Sequence, residues 1–140
     1  MRAMPAKKAS NSESLESIFE RLSKLLSRFS PPLEIFSRKI PKKRDFNIRV
    51  PKPVSIPGAY GGKPVQIDLA CLILQKGYVG FYFTPVYVDS GLRKKLAPSL
   101  LKLLKGKTCF HIKKLDDAQL GNIEFALREG VKCYREKAWL

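Results

Sequence analysis

Two short apolar runs, residues 65–74 (VQIDLACLIL) and 78–84 (YVGFYFT), stand on either side of the turn sequence Gln75-Lys76-Gly77. A lysine-glycine turn between runs of this length reads as a hairpin. Side chains alternate along a strand, so the first run divides into Ile67, Leu69, Cys71 and Ile73 on one side and Asp68, Ala70, Leu72 and Leu74 on the other. Both sides are largely apolar, and strands of that kind sit at a sheet centre covered on both faces, at least in part. The pattern leaves three covers open: a helix, a second subunit in a homodimer, or a ligand.

The remaining segments surround this hairpin. Leu15, Ile18, Phe19, Leu22, Leu25, Leu26 and Phe29 form one apolar helical stripe. Ser10 with Glu13 has the spacing of a capping box, and Pro31-Pro32 ends the helix. Phe46, Ile48 and Val50 alternate with Asn47 and Arg49 as a half-buried strand. Pro41, Pro51 and Pro53 flank it and place it at a sheet edge. Tyr60-Gly61-Gly62-Lys63 is a second turn signal. Residues 90–104 read as two short helices broken at Pro98, with Gly106 as a helix stop. Residues 107–113 form a strand that carries Phe110 and Ile112 on one side and Cys109 and His111 on the other. A last helix starts near Asp116, with Gln119 at capping-box spacing and an apolar stripe through Leu120, Ile123, Leu127, Val131 and Tyr134. No βαβ alternation appears. The expected fold class is α+β, an antiparallel meander sheet with N-terminal, central and C-terminal helices packed on it. Residues 1–9 read as a flexible basic tail and residues 10–140 as one domain.

The chain carries 27 Lys and Arg against 12 Asp and Glu, a formal net charge of +15. A charge of that size attracts polyanions in general, and weak nucleic-acid binding is expected from it alone. Residues 38–52 are the densest basic run. Arg38, Lys39, Lys42, Lys43, Arg44, Arg49 and Lys52 stand against Asp45, which makes this segment the candidate polyanion-binding surface. It contains few aromatics for base stacking and no helix-turn-helix or zinc finger. The plainer account is a sheet edge protected by its lysines. Cys71, Cys109 and Cys133 are too widely spaced for a zinc ribbon and odd in number, and they read as free thiols in a reducing compartment. No apolar leader or membrane-length run is present in this sequence, so the expected location is cytoplasmic and no membrane partner is expected.

The chemistry-bearing residues are few. Lys105-Gly106-Lys107-Thr108 resembles the end of a phosphate-binding loop, but position 101 is leucine where that loop needs glycine, and the strand follows rather than precedes it. His111 is the only histidine, so any histidine-dependent triad must use it. Cys109 lies two residues away on the same strand side, and a parallel pair activates a thiol poorly. Asp68 with Cys109 and His111 is the one combination that could hold a metal. Asp68 otherwise needs a lysine or a backbone amide as its partner. Glu13, Glu16 and Glu20 form a solvated helix face, with Glu20 at ion-pair spacing from Lys24. Tyr78 and Tyr82 share a strand side with each other, and with His111 they either line a small-ligand pocket or pack as core. The ligand-pocket candidates are therefore Tyr78, Tyr82, His111, Cys109 and Asp68. No catalytic residue, resident metal or cofactor is assigned.

Several short patterns carry a family resemblance. They are the aromatic strand ending in Thr84-Pro85-Val86-Tyr87, the helix opening at Ala97-Pro98, and Gly106-Lys107-Thr108-Cys109-Phe110 leading into Asp116-Asp117. Residues 77–120 thereby resemble the bacterial YdhG-like family, a domain of unknown function that includes proteins described as frataxin-like iron chaperones. Gly62-Lys63-Pro64 and the first helix extend the resemblance over most of residues 15–137. It implies an α+β domain with an antiparallel meander, acting inside the cell without an established reaction. The chain departs from the family's iron-handling members, since frataxin-type iron handling uses a dense acidic ridge and this chain is basic. The functional expectation is a non-enzymatic intracellular binding domain of YdhG-like type, whose ligand is an unknown small molecule or protein. The alternative is polyanion binding through residues 38–52.

Overall fold

The computed structural model describes residues 13–140. The basic tail over 1–9 and the serine of the expected Ser10–Glu13 capping box lie outside the described residues. Helix α1 spans Leu15–Ser27 and is capped by Ser14, whose side chain accepts the Ser17 amide. Its apolar stripe buries Ile18, Phe19, Leu22, Leu25 and Leu26. Strands β1 (Glu34–Phe36), β2 (Asp45–Arg49), β3 (Asp68–Gln75) and β4 (Tyr78–Phe83) follow. Three single-turn helices come next, α2 (Pro85–Val88), α3 (Ser90–Arg93) and α4 (Pro98–Leu101). Strands β5 (Leu104–Lys105) and β6 (Cys109–Ile112) and the long helix α5 (Asp117–Glu136) complete the chain.

The six strands form one antiparallel sheet in the order β1-β2-β3-β4-β6-β5. The architecture is α+β, with N-terminal, central and C-terminal helices around an antiparallel sheet. Two features differ from the sequence expectation. Strand β2 is not an edge, because the short β1 pairs with it from Glu34–Arg49 to Phe36–Asn47. The prolines that suggested an edge, Pro41, Pro51 and Pro53, all lie outside Asp45–Arg49. Gly106 does not stop a helix. It sits at φ 74° in the tight connection between β5 and β6, where a residue without Cβ is favoured.

Register sorts the side chains into two unequal faces. On the inner face, Phe46, Leu72, Phe81, Phe110 and Leu104 stand in one cross-strand row, and Leu74, Val79 and Ile112 in the next. Phe81 packs between Phe83 and Phe110, with centroids 5.5 and 5.7 Å away. Phe110, Ile112 and Ile48 are fully buried and Phe46 packs at the margin of the same core. Helix α1 lies against β2, β3 and β4, and α5 contacts β3 and α1. Helix α5 starts at the expected cap: the Asp116 side chain accepts the Gln119 amide at 2.8 Å. The Tyr134 hydroxyl of α5 donates to the Asp68 carbonyl at 2.7 Å, which ties the helix to the start of β3. Gly130 lets α5 approach closely, since a Cβ there would lie 2.9 Å from both Cζ of Phe83 and Cγ of Pro85.

Two substitutions test this packing. Phe110→Ala should lower unfolding free energy by about 3–5 kcal/mol in urea titration, through lost burial and the cavity left behind. Gly130→Ala raises intrinsic helix propensity, yet it should destabilise by about 1–3 kcal/mol because the added methyl forces Phe83 and Pro85 to move. A stabilised G130A variant would show that α5 does not pack on β4 as described.

Candidate open sheet face and lysine-lined cleft

One residue in β3 decides what the outer face carries. Ile48 of β2 pairs with Ala70, but the next residue, Arg49, pairs with Asp68, so Leu69 is an extra residue in the ladder. The bulge sends Leu69 into the core, where it is fully buried. Asp68 thereby comes within hydrogen-bond reach of Cys71, whose thiol donates to it at 3.2 Å. The expected side with Ile67, Leu69, Cys71 and Ile73 therefore does not exist as an apolar stripe. What the outer face presents is one row of Asn47, Cys71, Tyr82, Cys109 and Lys105, and a second of Asp45, Ile73, Gly80 and His111. Ile73 is the one large aliphatic in those rows. At the β4–β6 end of these rows Tyr78, Tyr82, Cys109 and His111 are all half-buried, whereas Asn47 and Cys71 at the β2–β3 end are buried, with Arg38 against the Cys71 thiol and the Asn47 amide donating to the Phe36 carbonyl.

Tyr78, Tyr82, Cys109 and His111 are brought together as the sequence suggested. Tyr78 and His111 stack face to face across β4 and β6, with centroids 3.8 Å apart and planes 11° from parallel. Gly80 lies directly opposite His111 and leaves room beside it. A Cβ at position 80 would stand 2.8 Å from Cε1 of Tyr82, so the Tyr82 ring occupies the space over this glycine. Asp68 does not join them. It forms an ion pair with Arg38 near the other end of β3, so its partner is an arginine where a lysine or backbone amide was expected. Among the described residues no cluster of three His, Cys, Asp or Glu side chains could hold a metal ion, so Asp68, Cys109 and His111 are not a metal site here. The three cysteines are unpaired.

The basic segment is largely committed to internal contacts. Arg38, Arg44 and Arg49 pair with Asp68, Glu20 and Glu34. Each guanidinium also lies over a ring: Arg38 and Arg49 over Phe36, and Arg44 over Phe19. The Lys43 ammonium donates to Gln75. Asp45 organises the segment by accepting the Arg38 amide, the Ser37 hydroxyl and the Asn47 amide group at 2.7–2.8 Å. Burial alone would raise the pKa of Asp45; those three donors outweigh it and hold the carboxyl below its usual value. Lys39, Lys42 and Lys52 remain exposed and outside the ion pairs of the described residues. Glu20 is taken by Arg44 rather than by the expected Lys24.

A different cationic surface lies at the opposite edge of the sheet. A cleft of about 490 Å³ is lined by Ser99, Lys102, Leu103, Lys105, His111, Lys113, Lys114 and Gln119. It holds four lysines and no carboxylate. An adjoining hollow of about 370 Å³ contains Asp116, whose carboxylate caps α5. The lysines escaped the sequence reading because they are spread through two turns and a hairpin. Their signal is a different one: residues 90–115 contain eight Lys and Arg and no Asp or Glu. Among the described residues Lys95, with Glu129, is the only one of the eight in an ion pair.

Comparison with family models, with curated proteins and with solved structures finds no match for the chain. Among the described residues, no helix is long and apolar enough to cross a membrane.

The thiols offer a direct check on the site's chemistry. Burial, reinforced by the Asp68 carboxylate, pushes Cys71 up to about 12, while Arg38 opposes the shift. Burial also raises Cys109 and Cys133. The thiolate is the nucleophile, so all three should react slowly in the native protein. Alkylation of Cys71 by iodoacetamide near pH 8 should be about a thousandfold slower than that of a free thiol, and unfolding in urea should restore ordinary rates at all three. A native cysteine that reacts faster than free thiol would contradict these environments.

Proposed function

We propose that this chain is a non-enzymatic intracellular binding domain of YdhG-like type whose ligand is anionic and sits in the cleft between β6, the α4–β5 turn and the start of α5. The observation that carries the reading is the convergence of Lys102, Lys105, Lys113 and Lys114 on a single cleft without a carboxylate. Like charges held together repel, and an anion bound between them relieves that repulsion while gaining charge-assisted hydrogen bonds. The cleft volume of about 490 Å³ is in the range of small-ligand sites. Ser99, Gln119 and His111 add neutral polar groups that can orient a ligand. The alternative surface over 38–52 has less to offer an incoming anion, because its three arginines already have carboxylate partners.

The test is an NMR titration of labelled protein with inorganic tripolyphosphate at low ionic strength. Amide shifts should move at Leu103, His111, Lys113 and Gln119, and Lys102→Gln combined with Lys114→Gln should weaken binding about tenfold or more. Shifts confined to residues 38–52 would transfer the site to that segment. No saturable shift at either place would end the anionic reading.

A further inference from the structure

We infer that the lysine cleft and the aromatic floor beside it form one site for single-stranded nucleic acid, with phosphates on the lysines and bases stacked on the open sheet face. The inference rests on the anionic reading above and names its ligand class. Three observations carry it together. The outer face of β4 and β6 holds a parallel Tyr78–His111 stack and a Tyr82 ring seated over Gly80, and all three residues are half-buried, with part of each still open to solvent. Flat rings on an antiparallel sheet, with the packing helices on the opposite face, are the surface on which splayed bases stack. His111 belongs to both parts of the site, since it stacks on Tyr78 and lines the cleft. Lys105 pairs with Cys109 in the ladder and so borders the same face.

The charge pattern selects a strand of several phosphates over a lone nucleotide. Lys76 lies exposed in the turn beside Tyr78, and Lys105 of the cleft lies across β6 from β4, paired with Cys109. Cations on both sides of a row of rings suit a backbone that runs past them. Duplex DNA fits less well, because its paired bases are stacked on one another and their faces cannot reach a ring. A second copy of the chain is opposed by a net charge of +15 on each copy.

Fluorescence anisotropy with labelled oligodeoxythymidine of about eight nucleotides, a typical site length for one small sheet domain, tests the inference. The comparison ligands are an abasic strand of equal length, a duplex of equal length and inorganic tripolyphosphate. The single strand should bind at least about tenfold more tightly than the abasic strand, the gain expected from stacking of one or two bases. Tyr78→Leu should collapse that advantage. Lys102→Gln with Lys105→Gln should weaken the binding of both strands and lower the salt slope by about 1.4, or about 0.7 for each phosphate released. In the unsubstituted protein, ring protons of Tyr78 and His111 should shift upfield when oligodeoxythymidine is added. Equal affinity for the base-bearing and abasic strands, with tripolyphosphate still bound in the cleft, would overturn the nucleic-acid assignment and leave the anionic site standing. So would tighter binding of the duplex, absence of the ring-proton shift, or a protein dimer that the oligonucleotide fails to disrupt. Failure of tripolyphosphate to bind would remove the anionic reading itself.

Discussion

The asymmetry of the sheet depends on one extra residue. Had β3 run regularly from residue 67 to residue 74, Leu69 would share a face with Cys71 and Ile73, and the outer surface would carry an aliphatic stripe in need of cover. The bulge at Leu69 turns that side chain into the core and brings Asp68 to Cys71. Burying a leucine is worth about 1.5–3 kcal/mol, so the bulge is favoured by the helices that wait on the inner face. The cost is a carboxylate on the outer side of the sheet, and Arg38 meets it. The long helices α1 and α5 can then both pack on the inner face, with the short central helices completing the core. They close one face, and the β4–β6 end of the other is left to tyrosine, cysteine and histidine, which tolerate partial exposure.

The same residue marks the boundary of what could be read from sequence. Periodicity located α1, the β3–β4 hairpin, β6 and α5, because each has a run of apolar residues long enough to declare a period. Phe110 and Ile112 were assigned to the correct side of β6 for that reason, as were Tyr78 and Tyr82 on β4. A bulge leaves no mark on a strand made of apolar residues on both sides, so the strict alternation assumed for β3 failed at Asp68 and Leu69. Strands β1 and β5 have three and two residues, too few to show alternation. Without β1, β2 looked like an edge. Without β5, Gly106 looked like the end of a helix and not the turn of a hairpin. The four ligand-pocket candidates on β4 and β6 were found together because they follow from register alone, whereas the separation of Asp68 from them needed the pairing of Arg49.

Charge was the other place where linear reading and folded geometry parted. Residues 38–52 are the densest basic stretch in sequence, but density counts residues and not the potential they leave available. The three arginines in that stretch are held by carboxylates and by aromatic faces, a use for which the planar guanidinium is suited. Their charge is spent on joining β1, β2, α1 and β3. The cations of residues 90–115 include a single arginine, Arg93, and seven lysines. Lysine ends in a compact, strongly hydrated charge on a flexible stem, which makes it a poor structural clamp and a good contact for an arriving anion.

That division of labour explains how one small domain can tolerate a net charge of +15. Self-repulsion grows with charge and favours unfolding. Placing arginine–carboxylate pairs along β1, β2 and α1 neutralises the part of the surface where strands and helix must hold together. The surplus is moved to the β5–β6 edge, where exposed lysine heads can spread into solvent when nothing is bound. At that edge the backbone needs little electrostatic help, because β6 is anchored from the inner face by Phe110 and Ile112, both fully buried. Apolar packing thus bears the stability of the strand whose outer surface carries the unneutralised charge. The lysines of the cleft are free to be chosen for what they attract, since the fold does not rely on them.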